Sequence, residues 1–480
     1  MFFITIYLLI LSQSFAQEGN AGFSTFIKGA DVSALKQVEE NGGLFTENGI
    51  QKNSLQILNG HGFNFIRLRI WHSPPQGNNN LEKTLSMAQR IKSLGMKFLL
   101  DIHYSDSWAD PGQQNKPAAW LGLSFQQLKD SVYFYSRNLI TAFKNQNTLP
   151  DIVQIGNEII CGMLWNDGCV CGQFNTTQQW EQFAELLHEG IRGVTESVNM
   201  EDTVKIMIHI DRGGDNAGSR WFFDNLNVQN VSFDIIGLSF YPWWHGTLAD
   251  LQFNLTDLSQ RYGKKIIVVE TAYPWTLAWN DNTNNIVGNS GQLLTGYLAT
   301  VEGQKNFLAD EINVIQNIQG NNGLGMFYWE PDWISAPTFG SPWENLALFD
   351  FDGELLNSIS VFDSTLTNIS QSNELQTSFV LFQNYPNPFN PVTKIRYAIP
   401  TSPLNLSPYR GEKNRQRFVT LKVYDILGNE VAILVDEYKA PGDYEVEINS
   451  SSFKKFSSGV YFYQLRAGDF SQTKKMVLLR

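Results

Sequence analysis

Asp151-Ile-Val-Gln-Ile-Gly-Asn-Glu158 and Lys264-Lys-Ile-Ile-Val-Val-Glu270 are two apolar, β-branched runs, each ending on a glutamate. Such a run reads as a strand buried on both faces, as in a parallel sheet. Working outward, the first 365 residues repeat the pattern. Strands are expected at 26–31, 63–71, 97–103, 152–158, 204–210, 234–241, 265–270 and 325–329, with amphipathic helical stretches at 81–94, 125–144, 178–197, 247–262 and 292–316. Eight strand–helix units over roughly 340 residues predict an α/β fold, the (β/α)8 TIM barrel. An open doubly wound sheet is the rival, but no Gly-x-Gly-x-x-Gly turn follows the first strand.

On this reading Glu158 ends strand four and Glu270 ends strand seven, at the carboxyl mouth where barrel enzymes place their chemistry. A lone glutamate after such a run is ordinarily a solvated strand end. A pair points instead to glycoside hydrolysis, in which one carboxyl protonates the leaving oxygen while the other acts on the anomeric carbon. Asp31, Arg69, Trp71, His103, Asp106, His209, Asp211, Tyr241 and Trp329 fall at or just beyond other strand ends. Together they describe a polar cleft with aromatic platforms.

Composition narrows the partners. The chain has 480 residues, 42% hydrophobic and 17% charged, with net charge −12. That length suggests about two or three domains, and the negative balance argues against nucleic acid or an anionic membrane surface. All 13 Trp and all six His precede residue 344. The last quarter is therefore a different kind of domain. The three cysteines, Cys161, Cys169 and Cys171, allow one loop-closing disulfide and leave a thiol over, with the pairing open. No catalytic metal is expected, because His103, Asp106, His209 and Asp211 lie on separate strands without a close ligand pair.

The ends carry address signals. Residues 2–11 are apolar and lead to Ser14-Phe-Ala16, which reads as a signal peptide of residues 1–16 and is too short to span a bilayer. A barrel domain follows at 17–366. A polar connector at 367–376 leads to a Val- and Tyr-rich segment, 377–480, with strands expected at 393–399, 418–425, 430–435, 442–448, 459–467 and 473–479. That pattern predicts a small β-sandwich. The loop at 401–416 is assigned no chemistry.

Several segments carry a resemblance. Leu68-Arg-Ile-Trp71, Leu100-Asp-Ile-His-Tyr-Ser-Asp-Ser-Trp-Ala-Asp-Pro111, Ile155-Gly-Asn-Glu-Ile159, Met207-Ile-His-Ile-Asp211, Ser239-Phe-Tyr-Pro242 and Tyr328-Trp-Glu-Pro-Asp-Trp333 resemble the endo-β-1,4-galactanases of glycoside hydrolase family 53. The resemblance covers about residues 25 to 365 and implies retaining endo-hydrolysis of galactan or type I arabinogalactan, without a cofactor. Carried across, it makes Glu158 the acid/base and Glu270 the nucleophile, with the carboxyls about 5–5.5 Å apart. It also implies substrate contacts from Arg69, Asn157, Tyr241, Trp329 and Trp333, and makes His103, Asp106, Trp108, His209 and Asp211 cleft residues that either touch the substrate or support those that do. Within that set, Asn157 is expected to donate to the sugar 2-hydroxyl, Tyr241 to the nucleophile, and Trp329 to form a floor. Arg69 is the candidate for keeping Glu270 charged, with Arg67 competing because both lie on one face of strand two. Trp244, Trp275 and Trp333 either stack on more distant sugars or pack their loops.

Some similar bacterial enzymes carry calcium on the loop after strand seven. Here that loop holds Asn280-Asp-Asn-Thr-Asn-Asn285, with one carboxylate, and a structural calcium stays open. In the tail, Asn384-Tyr-Pro-Asn-Pro-Phe-Asn-Pro391, Val423-Tyr-Asp-Ile-Leu-Gly-Asn429 and Gly459-Val-Tyr-Phe-Tyr463 look like the sorting domain of the type IX (Por) secretion system, rather than a carbohydrate-binding module. The expected product is a secreted or cell-surface monomer whose partners are the polysaccharide and the secretion machinery. Two other readings stand beside galactanase: a related retaining enzyme acting on mannan or glucan, and a non-catalytic glycan binder.

Overall fold

The computed structural model describes residues 23, 25–199, 201–363, 379–384, 387–399, 417–440, 442–450, 457–468 and 470–479. The signal peptide expected at 1–16, the connector 367–376 and the loop 401–416 lie outside the described residues. The chain divides into two compact units, residues 1–366 and 367–480.

In the first unit, strands β1 (Ile27–Asp31), β2 (Phe65–Ile70), β3 (Lys97–Ile102), β4 (Ile152–Ile155), β5 (Lys205–Ile210), β6 (Ile235–Phe240), β7 (Lys265–Thr271) and β8 (Gly323–Trp329) close a parallel barrel. β1 pairs with both β8 and β2 to seal it. The expected strands are all present, with two differences at the mouth. β4 stops at Ile155, three residues before Glu158, and β7 continues one residue past Glu270.

The interior is layered by side-chain size and polarity. At the amino-terminal end, Ile27, Phe65, Leu99, Ile152, Met207, Ile235, Ile267 and Phe327 form an apolar plug drawn from all eight strands. Toward the carboxyl end the inward positions turn polar: Arg67, Asp101, Gln154, His209 and Ser239 are each no more than 1% exposed. Helices cover the outside. The helix Phe125–Asn145 buries Leu128, Val132, Ser136, Leu139, Ile140 and Phe143 at three- and four-residue spacing. Its start is fixed by a reciprocal cap between Ser124 and Gln127. The helix expected from residue 292 begins only at Val301, because Thr300 caps it by accepting from the Gly303 N–H, and the preceding residues stay in loop.

The second unit is all-β. Strands β9 (Val380–Leu381), β10 (Val392–Ile399) and β13 (Gly442–Asn449) form one antiparallel sheet. Strands β11 (Arg417–Tyr424), β12 (Glu430–Lys439), β14 (Gly459–Ala467) and β15 (Phe470–Leu478) form the other, in the order β12-β11-β14-β15. Alternate residues such as Val419, Leu421 and Val423 point into a core with Ile395, Tyr463, Leu465, Met476 and Leu478. The two-residue β9 is too short to show in a sequence pattern. Among the described residues no helix is long and apolar enough to cross a membrane.

Gly325 marks the tightest point of barrel closure: a Cβ there would lie 2.1 Å from the main-chain oxygen of Ile27 on β1. Main-chain oxygen cannot move aside without breaking the β1–β8 ladder. Gly325→Ala is expected to lower the thermal midpoint, costing about 1–3 kcal/mol, as read by circular dichroism melting beside the parent chain.

Candidate active site

Beyond β4 the chain turns through two left-handed residues, Gly156 (φ 77°) and Glu158 (φ 47°). A Cβ at residue 156 would come within 2.7 Å of the Ile159 side chain. A left-handed glutamate is uncommon and costs on the order of 1 kcal/mol. The turn aims Asn157 and Glu158 into the barrel mouth, where a cleft of about 330 Å³ opens. Glu158, Glu270, Arg69, His103, Trp108, Asn157, Tyr241, Trp329 and Trp333 all line it, as do Trp244 and Trp343.

Three other residues expected at the substrate surface sit elsewhere. Asp106 accepts from the main-chain N–H groups of Ser73 and Ala118, each at 2.8 Å, and so braces two loops. His209 is fully buried behind the cleft. Asp211 pairs through Oδ2 with Arg212 at 2.8 Å, while its buried Oδ1 has no hydrogen-bond partner. Strand periodicity gave the right ends but not the depth of each side chain. Trp275 ties the loop after β7 to the segment after β8, donating from Nε1 to Glu344 O at 3.2 Å and lying against Phe351.

The charge arrangement centres on Arg67. One guanidinium nitrogen donates to Glu270 Oε1 at 2.7 Å and Asp31 Oδ2 at 2.8 Å; the other reaches Asp101 Oδ2 (2.9 Å), Asn157 Oδ1 (2.8 Å) and Gln154 Oε1 (3.1 Å). Arg69 pairs with Glu330 at 2.6 Å instead, and its guanidinium carbon lies 4.1 Å from the Trp108 ring centroid. This corrects the expectation that Arg69 holds Glu270. Arg67 lies two residues deeper on the same face of β2, at the level of the neighbouring carboxylates.

The second oxygen of Glu270 accepts from the Tyr241 hydroxyl at 3.0 Å. Burial raises the pKa of Glu270, and Arg67 opposes that rise. Glu158 lies, through Oε1, 2.6 Å from Ser239 Oγ. Its pKa lies well above the ordinary range, first through burial and then through the negative charges of Glu270 and Asp211. Burial thus raises both carboxyls, and what differs is the contact: Arg67 bonds Glu270 directly, whereas Glu158 faces the negative charges of Glu270 and Asp211. Tyr241 stays protonated, since burial and both glutamates push its pKa up.

Hydrogen-bond partners also assign His103. Its Nδ1 accepts from Ala109 N–H at 3.1 Å and from Trp71 Nε1–H at 3.3 Å, so Nε2–H donates to Asp101 Oδ2 at 2.9 Å. Asn157 Nδ2 donates to Ala109 O at 2.9 Å, which leaves its second amide hydrogen for the cleft. Asp101, Gln154, Ser239 and Glu330 were not picked out from the sequence. The available signal was a polar residue inside an apolar run, as in Leu99-Leu-Asp-Ile102 and Ile152-Val-Gln-Ile155.

Cys161 and Cys171 are disulfide-bonded and Cys169 is free and buried, so the staple closes the loop just after Glu158. On the loop after β7, Asp281 already accepts from Ser335 Oγ and Ser341 N–H through Oδ2 and from Thr283 N–H through Oδ1. Among the described residues no group of three or more His, Cys, Asp or Glu could hold a metal ion.

Comparison with known proteins follows the same division of the chain. A model described as glycosyl hydrolase family 53 matches residues 27–362, and one described as a secretion system C-terminal sorting domain matches residues 383–479. An endo-beta-1,4-galactanase of Bacillus subtilis (strain 168) is 32% identical over 381 residues, covering 70% of this chain and 85% of its own. An arabinogalactan endo-beta-1,4-galactanase A of Emericella nidulans is 34% identical over 343 residues, 70% of this chain and 93% of its own. Among solved structures, the GH53 catalytic domain of Ignisphaera aggregans is 40% identical with a TM-score of 0.67, covering 72% of this chain and 97% of that one.

Replacing Arg67 by methionine leaves Asp31, Asp101 and Glu270 buried without their cation. Burial would then hold the Glu270 pKa further above that of the unfolded chain, a penalty absent at acid pH and growing as pH rises through the unfolded carboxylate range. The loss in stability of Arg67→Met is expected to reach about 3–5 kcal/mol near pH 7 and to shrink toward pH 4, measured by denaturant melts across that range. A loss independent of pH would contradict the charge account.

Proposed function

We propose that this chain, which belongs to glycosyl hydrolase family 53, cleaves internal β-1,4-D-galactosidic linkages of galactan and type I arabinogalactan by a retaining double displacement. The observation that carries the reading is the opposed setting of two carboxyls in one cleft. Glu270, held by Arg67 and Tyr241, is the nucleophile. Glu158, raised by burial and by neighbouring negative charge, is the acid/base. Glu270 attacks the anomeric carbon while Glu158 gives its proton to the departing oxygen. Glu158 then takes a proton from water as that water releases the glycosyl-enzyme. Electrons and protons balance within this cycle, and no cofactor enters it.

The surrounding residues divide the remaining work. The free amide hydrogen of Asn157 is placed for the sugar 2-hydroxyl, a contact that strengthens as positive charge develops at the ring. Trp329, Trp108 and Trp333 present aromatic faces along the cleft. Asp106, His209 and Asp211 are taken out of the substrate-contacting set and assigned to bracing and to electrostatics behind the glutamates. Residues 17–366 form the catalytic part and 377–480 the sorting part. The sorting domain indicates export through the type IX system, to the cell surface or beyond. A polymer too large to enter the cell calls for that placement.

Reducing-end release with product sizing on debranched galactan, beside mannan, xylan and carboxymethyl cellulose, tests the substrate. Short galacto-oligosaccharides from galactan alone are expected. Cleavage of another polymer would overturn the specificity, and no cleavage of any would return the binding-protein reading.

Two variants test the roles. Glu270→Gln is expected to lose turnover by 10⁴-fold or more, roughly the scale of removing a covalent nucleophile. Glu158→Ala is expected to retain activity on substrates with good leaving groups and to gain from added azide. Equal, unrescued loss in both would count against the assignment.

Asp281, the one carboxylate among residues 280–285 on the loop after β7, already accepts three hydrogen bonds, so treatment with EDTA is expected to leave both turnover and the thermal midpoint unchanged. A lowered midpoint restored by calcium would show that this loop binds the ion after all.

A further inference from the structure

Ser239 Oγ lies 2.6 Å from Glu158 Oε1 and 2.9 Å from His209 Nε2. On the far side, His209 Nδ1 lies 2.9 Å from Asn157 Oδ1, 3.2 Å from Gln154 Nε2 and 3.4 Å from the Glu158 main-chain nitrogen. Asn157 is fixed end for end, because Nδ2 donates to Ala109 O while Oδ1 accepts from Arg67 at 2.8 Å and Gln154 Nε2 at 3.1 Å. Ser239 and His209 are both fully buried. A continuous chain therefore links Glu158 to Arg67, whose other nitrogen holds Glu270.

Donor counting gives that chain a direction. The shortest Nδ1 contact is to an oxygen that can only accept, and Gln154 Nε2 already has Asp101 Oδ1, Gly156 O and Asn157 Oδ1 as acceptors, so the hydrogen of His209 is placed on Nδ1 at the expense of the longer contact from the Glu158 main-chain N–H. Burial, and then Arg67, keep His209 from becoming a cation. Nε2 is therefore bare and takes the single proton of the Ser239 hydroxyl. The serine then presents only lone pairs to Glu158 Oε1, and a carboxyl bearing a proton pairs with them. An ionised Glu158 could draw the serine proton to itself only by leaving Nε2 unsatisfied in a buried site.

We propose that Ser239 and His209 are positioning residues that hold the proton on Glu158, while Arg67 keeps Glu270 ionised. The proposal rests on the reading of Glu158 as acid/base. The proton count closes over a cycle. When Glu158 gives its proton to the departing oxygen, the Ser239 hydroxyl turns to the new carboxylate. The proton then taken from water restores the first arrangement. The charged or titratable groups facing Glu158 are Glu270 on β7, Asp211 past β5 and Arg67 on β2; those facing His209 are Arg67, His103 and His245.

The test is the pH profile of kcat/KM on soluble galactan for the full chain and three variants. His209→Leu keeps the volume near that of histidine but frees the serine proton for the carboxylate. Its basic limb, set by loss of the Glu158 proton, is expected to move down by about one pH unit, with the acidic limb of Glu270 in place. In a Ser239→Ala background the same change at His209 is expected to shift nothing further. An upward shift would mean the serine donates to Glu158 in the parent protein, and an unmoved limb would mean His209 only packs; either overturns the proposal. Azide-rescued Glu158→Ala separates the two levels. A basic limb that persists there sinks the acid/base reading itself, whereas its loss there with no shift in His209→Leu sinks the relay alone. Should the variants fail to fold, the ¹⁵N-histidine spectrum of the parent chain decides: His209 hydrogen on Nδ1 is expected, and on Nε2 overturns the proposal.

Discussion

One buried guanidinium organises the mouth of this barrel. Arg67, 1% exposed on β2, meets three carboxylates and two amide oxygens contributed by β1, β3, β7, β4 and the turn after β4. Taking a cation and three anions out of water is costly unless each finds partners in good geometry. Here the network supplies them to every group but the Arg67 Nε, which is buried without a partner, and its geometry follows from neighbouring strands pairing in parallel: Asp31 stands opposite Arg67 in the β1–β2 ladder, and Asp101 opposite Gln154 in the β3–β4 ladder. Closing the barrel and assembling the site are the same event.

The arrangement also explains why the barrel can carry a polar upper layer at all. Below it, the apolar plug from Ile27 to Phe327 and the helix-facing core supply the burial that drives folding. Above it, the mouth spends some of that stability on a left-handed glutamate and on carboxyls held in low-dielectric surroundings. The disulfide between Cys161 and Cys171 closes the loop that follows Glu158, narrowing the states open to that loop before folding.

Much of this was legible in the chain, and the failures share a cause. Strand number, barrel class and the two glutamates follow from periodicity and from the placement of polar residues at strand ends, which local pattern records well. Depth does not follow. Arg67 and Arg69 share a face, and nothing in their spacing tells which reaches Glu270. Asp106 and His209 lie near strand ends, yet one is taken up by main-chain donors and the other is sealed behind the cleft. Ser239 is a small residue in an apolar strand, and only the position of Glu158 on a different strand gives it meaning. These are tertiary facts, fixed by which side chains the closed barrel brings together.

The central claim is that the two carboxyls in one cleft differ in proton affinity, because Arg67 favours the ionised form of one and the surroundings of the other favour its acid. Site-resolved titration of Glu158 and Glu270 by ¹³C carboxyl NMR in the substrate-free enzyme tests it most directly. The account predicts that Glu270 ionises first and that Glu158 keeps its proton to markedly higher pH. Ionisation in the reverse order, or together, would contradict it.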